Sequence, residues 1–215
     1  MDKKLIFQAA AIASVVAFIA VIIQATAGLS LPQGVQVQPG FPIPLDQFVR
    51  ASNEYPDTAL GFFGADSLFV LSYILVFVGL YTVTSEHARP FALIGLGTGI
   101  FTALMDATEN AFFINYALGA KTGLPLTTPD VPLIYIITNL KWMGAFATLY
   151  AFGLVFPRSG WLSWLINALM LLFPIVGVLG VANPSLVVVR GLFFLLGMPL
   201  FALFFWQRSR SLTVN

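Results

Sequence analysis

Residues 91–118 read FALIGLGTGIFTALMDATENAFFINYAL. At 1.5 Å per helical residue the run would extend about 42 Å, enough to span a hydrocarbon core of about 30 Å. Two carboxylates and an amide, Asp106, Glu109 and Asn110, interrupt it at spacing i, i+3, i+4, so all three share one helical face with Thr102 and Phe113. An apolar run of this length predicts a transmembrane helix, and the acids inside it predict that one face is turned away from lipid.

The rest of the chain repeats the first of these signals. Of its 215 residues 59% are hydrophobic and 9% charged, against about 25% charged in soluble domains. Mean hydropathy is +0.92. So few charges cannot cover a water-exposed surface, so the bilayer is the expected solvent. Long continuous runs favour helices over the short alternating segments of a barrel. The expected fold is all-α: a polytopic transmembrane bundle of six helices forming a single domain over 1–215. The spans are about 5–27, 60–83, 91–118, 132–156, 161–181 and 185–206. Pro174 and Pro199 are candidate kinks, and Asn183-Pro184 is a helix start.

Residues 30–59 form a long external loop in which Pro32, Pro39, Pro42, Pro44 and Pro56 prevent a continuous helix. A short interfacial helix fits around Leu45–Ser52, with Asp46 and Arg50 at i, i+4. The first run follows Lys3 and Lys4 and ends in Ala25-Thr26-Ala27, which imitates a signal-peptide cleavage site. Its apolar stretch exceeds the usual core of about 7–15 residues, and it is read as a retained helix.

Short-loop basic residues set orientation. Lys3, Lys4, Arg89, Arg158, Arg208 and Arg210 fall on one side, Arg50 and Lys121 on the other. Both termini are therefore expected in the cytoplasm, with Trp161, Trp164 and Trp206 at the inner interface. The location this implies is the inner membrane of a bacterium.

Asp66, Asp106, Glu109, Lys141 and Arg190 all lie inside apolar runs, where each would cost about 2.5–3.5 kcal/mol at a helix centre. Counted inward from the outer helix ends, Asp66 and Arg190 lie roughly 8–9 Å deep, Asn139 about 10 Å, Glu109 and Lys141 roughly 12–14 Å and Asp106 roughly 16 Å. Four helices thus contribute to one polar layer. Lys141 and Arg190 are each expected within reach of one of Asp66, Asp106 or Glu109, directly or through Asn110, Asn139 or water; if each takes one carboxylate, one acid remains. Gly95, Gly99, Ala103, Ala107 and Ala111 form a small-residue stripe on the third span, expected to admit a neighbouring helix. Gly95-Leu96-Gly97-Thr98-Gly99 imitates a phosphate loop only superficially, because it sits inside an apolar helix.

The candidate ligand-binding residues are Asp66, Asp106, Glu109, Asn110, Asn139, Lys141, Trp142 and Arg190, with no metal-ligating set among them and no cofactor specified. The absence of cysteine and the single His87 exclude thiol catalysis, disulfides and multi-histidine metal sites. A net charge of +1 without a basic, aromatic-interleaved patch gives no footprint for nucleic acid. Three readings stay open: a pocket that binds or translocates a lipid, amphiphile or ion; an accessory subunit of a larger membrane complex; and a lipid- or isoprenoid-modifying enzyme using paired carboxylates. Expected partners are membrane lipids and a membrane protein or a second copy of the chain.

Overall fold

The computed structural model describes residues 2–37, 45–127, 131–183 and 186–212. Among them the regular structure is entirely helical: α1 (Lys3–Leu29), α2 (Leu45–Glu54), α3 (Pro56–Lys121), α4 (Pro132–Val155), α5 (Trp161–Ala182) and α6 (Leu186–Ser211). Four helices, α1, α3, α5 and α6, are long and apolar enough to cross a membrane. α4, 24 residues long and carrying Asn139 and Lys141, is not among these four.

The runs expected to be helical lie on helices, but the six elements divide differently from the six expected spans. The short connecting helix is α2, and the runs 60–83 and 91–118 are both contained in α3. Its 66 residues do not form one straight rod, because the backbone leaves helical geometry at Ala88, with φ −152° and ψ 84°. Pro90, two residues on, accounts for a break here: it offers no N–H and its ring opposes the carbonyl of Glu86, four residues back. The two limbs then fold back on each other. Phe63 meets Phe113 with ring centroids 4.3 Å apart, the Tyr73 hydroxyl meets Asp106 at 3.1 Å, and Lys121 Nζ meets Asp57 at 2.6 Å. The midpoints of these pairs fall between residues 88 and 90, at the break, as an antiparallel hairpin requires.

α1 starts under the cap of Asp2, whose side chain accepts from the Lys4 amide at 2.9 Å. Its buried face is small: Ala10, Ala17, Ala20 and Ser14 are fully enclosed. That face packs on α3 where Gly79 meets Ala10. Contacts run round a ring, with α1 on α3 and α6, α6 on α5, α5 on α4, and α4 on α3. α5 and α6 continue as helices through Pro174 and Pro199. Asn183 ends α5 as its C-cap, and the rest of the predicted helix start, Pro184, lies outside the described residues.

The end of the bundle bearing α2 is closed by a second apolar cluster. Phe48 of α2 sits edge-on to Phe113 at 5.0 Å, beside Phe63, Val131 and Ile134. Asn53 clamps the 122–127 connection, donating to the Leu126 carbonyl at 2.9 Å and accepting from its amide at 2.8 Å. Arg50 pairs with Glu54 at 3.1 Å rather than with Asp46. Both partners are four residues from Arg50, but Glu54 lies toward the C-terminal end, where the arginine reaches it through two nitrogens.

At the opposite end, beside the Ala88 break, Lys3, His87, Arg158 and Arg208 surround one groove. Lys3 pairs with Glu86 at 2.5 Å and holds that carboxyl below the usual carboxylate range. Trp161, Trp164 and Trp206 are exposed at this end. Arg158 and Arg210 lie over Trp164 and Trp206, 5.3 and 5.1 Å from the ring centroids.

Candidate functional site

The polar layer is assembled mainly along the seam between α4 and the second limb of α3. The seam begins with the Thr148 hydroxyl donating to that of Thr98 at 3.0 Å. One turn on, Gly144 faces Thr102 so closely that a Cβ would come within 2.5 Å of its hydroxyl. That approach brings the next turns into register. Lys141, three residues before Gly144, donates to Asp106 at 3.0 Å and also to Glu109. Thr138, a further turn back, donates to the other oxygen of Glu109. Asp106 and Glu109 are three apart, as are Thr138 and Lys141, so two i, i+3 pairs interlock. Tyr73 reaches across from the first limb and donates to the second oxygen of Asp106 at 3.1 Å. Asp66, Asp106, Glu109 and Lys141 are between 3% and 6% exposed, so the seam is dry on the scale at which buried charges matter.

Asp66 is placed differently. Among the described residues no base lies within ion-pair distance of it; Lys141 is committed to Asp106 and Glu109. Its neighbour is Asn110, and among the described residues neither the amide nitrogen nor the amide oxygen of Asn110 completes a hydrogen bond of normal geometry. Asp66 instead faces a cavity of about 480 Å³ in the middle of the helical ring, shared with Tyr73, Asp106, Lys141, Trp142 and Arg190. The remaining wall is largely aromatic and aliphatic, including Phe62, Phe69, Phe77, Phe173, Met198 and Phe201. Gln24 of α1 also lines the cavity, and its buried amide nitrogen has no hydrogen-bond partner among the described residues.

Arg190 does not pair directly with a carboxylate among the described residues. Its guanidinium lies over the Trp142 ring, 3.9 Å from the centroid, and among the described residues it makes no ion pair. Arg190 projects from α6 onto Trp142 of α4, and that aromatic face satisfies it there without an acid. Trp142 is thereby a cavity wall rather than simple packing.

Asn139 also departs from the expected layer: it is exposed on α4. It stands two residues from Lys141, and at 100° per residue that separation turns it to roughly the opposite side of the helix. Glu109 and Asn110 are buried beside the cavity without lining it. Tyr73 and Gln24 belong to the site and were not expected in it. Tyr73 follows Asp66 at i+7, a spacing that signals a shared face.

The small-residue stripe divides. Gly95 packs under Phe152 and Gly99 under Phe77. Ala103 is buried, whereas Ala107 and Ala111 are exposed. Each step of four residues advances 400°, so the stripe drifts about 40° per step and leaves the interface after two. Compared with known protein families, curated proteins and solved structures, the chain matches none of them.

Proposed function

We propose that the chain is a six-span protein of a bacterial inner membrane, with both termini cytoplasmic, whose central cavity binds an amphiphile. The crossings are α1, the two limbs of α3, α4, α5 and α6, one bundle over 1–215. The six-to-two distribution of loop Lys and Arg supports the orientation. Reporters fused after Gly34 and Thr122 are expected to register outside, and those after His87, Ser159 and Ser211 inside. An external signal after His87 would reverse the assignment.

The observation that carries the binding reading is the cavity itself: apolar and aromatic along most of its wall, with Asp66, Asp106 and Lys141 at one side. An amphiphile has the same division, an apolar body and a polar head, and concave apolar sites with a few convergent polar groups are the usual form of small-molecule pockets. At about 480 Å³ the space lies within the range of such sites. The test is extraction in mild detergent and mass spectrometry of what remains bound. A stoichiometric amphiphile is expected on the wild-type protein, and its loss is expected in Ala145→Phe, which adds a ring to the cavity wall. Equal lipid content in both, at equal thermal stability, would sink the reading.

A further inference from the structure

We propose that the head group this cavity selects is a monovalent organic cation, a protonated or quaternary amine held at Asp66. The inference rests on the amphiphile-binding reading and specifies its chemistry. The cavity region holds three acids, Asp66, Asp106 and Glu109, against two bases, Lys141 and Arg190. Lys141 bridges Asp106 and Glu109, and Arg190 is stacked on Trp142. Asp66 is left as a carboxyl group 5% exposed, on the cavity wall, beside Asn110 and without an ion-pair partner among the described residues, so that a cation entering the cavity would hold it ionised. One added positive charge would balance the region.

The surroundings of Asp66 suit a cation of a particular kind. Phe62, Phe69 and Tyr73 stand at i−4, i+3 and i+7 from it on the same limb, and all three line the cavity. Phe69 and Tyr73 meet edge to face at 5.2 Å. Aromatic faces beside a carboxylate are the arrangement that holds alkylammonium groups, whose diffuse charge is attracted to the ring quadrupole. The face of Trp142 is already taken by Arg190, so an incoming cation has the Asp66 side of the cavity and not the α6 side. Arg190 repels it from the same direction. The alkyl body would extend past Phe77, Met198 and Phe201, where Met supplies an adaptable surface.

Native mass spectrometry on the full chain separates the alternatives. The protein is equilibrated with equal concentrations of dodecyltrimethylammonium, dodecanol and dodecanoate, which share chain length and differ in head charge. Retention of the ammonium at least about ten-fold above the other two is expected. Asp66→Asn is expected to bring the three within about three-fold of one another, and Asp66→Glu to keep the preference. Phe69→Leu, which leaves the carboxyl group in place, is expected to lower ammonium retention several-fold relative to dodecanol retention by the same variant. Equal retention of all three by the wild type, or preference for dodecanoate, overturns the cation assignment while the amphiphile reading stands. An ammonium preference undiminished in Asp66→Asn or, should that variant not fold, in Phe69→Leu, overturns the placement at Asp66. Retention of none of the three overturns the amphiphile reading with it.

Discussion

Lys141→Met is expected to destabilise the folded protein by about 3–5 kcal/mol, because it strands two buried carboxylates at once. Lys141 is the one base within ion-pair reach of Asp106 and Glu109 among the described residues. Methionine preserves most of the side-chain volume, so the loss reports charge rather than a cavity. The combination with Glu109→Gln should recover part of the loss, and adding Asp106→Asn should recover more, since an all-neutral seam has no charge left to desolvate. The measurement is a double-mutant cycle on unfolding in mixed micelles, followed by tryptophan fluorescence. Coupling of about 1–3 kcal/mol is expected for Lys141 with Glu109 and with Asp106, and less for Lys141 with Asp66, to which it makes no ion pair. Coupling below about 0.5 kcal/mol for both near partners would mean that water, not Lys141, satisfies the seam. Asp66→Asn should behave in the opposite sense to Lys141→Met and leave stability equal or higher, because an acid with no cationic partner costs free energy to bury.

The difference between these residues marks where reading the sequence stopped. Asp106, Glu109 and Asn110 were legible as one buried face because a helical period of 3.6 fixes direction along a single helix. All three are buried, together with Thr102 and Phe113. That Lys141 joins them was foreseeable from cost alone. Arg190 obeys the same cost argument and meets it another way, because its solution depends on Trp142, a ring on another helix whose distance no one-dimensional pattern encodes. Asn139 shares the depth of the layer, but two residues from Lys141 it points to a different side of the helix, and there it is exposed. The fold shows the same division. Apolar runs and Pro90 were enough to expect two antiparallel spans from 60–118, but the ring order of the helices, and the cavity it encloses, depend on which small residues meet which aromatic rings. Tyr73 was passed over because a tyrosine in a membrane helix has many ordinary places to be; only its reach to Asp106 across the hairpin gives it a role.

Gly99→Leu is expected to abolish stable folding, and Gly97→Leu, two residues away on the same helix, to be tolerated. The pair isolates packing from helix propensity, since both replace glycine by leucine in one helical limb and propensity alone favours both changes. A Cβ at Gly99 would come within 2.6 Å of the Phe77 ring, whereas one at Gly97 would meet nothing within 4 Å. Phe77 has little room to retreat: it is packed beside Tyr73 at 5.1 Å and Phe152 at 6.3 Å between ring centroids. Overpacking by a methylene or two costs about 1–3 kcal/mol in a dense core, and a leucine at a contact already closed to a methyl group exceeds that range. The displacement would also propagate to the site, because Phe77 abuts the tyrosine that holds Asp106. Gly99→Ala is therefore expected to lower the melting temperature and, in the folded fraction, to weaken retention of the bound amphiphile. Phe77→Leu should partly restore both when combined with it, by vacating the volume the new methyl needs. The readouts are monodispersity on size exclusion, melting in detergent and lipid content by mass spectrometry. Equal behaviour of Gly97→Leu and Gly99→Leu would mean that Gly99 faces lipid, and the hairpin packing that carries Tyr73 to Asp106 would have to be abandoned.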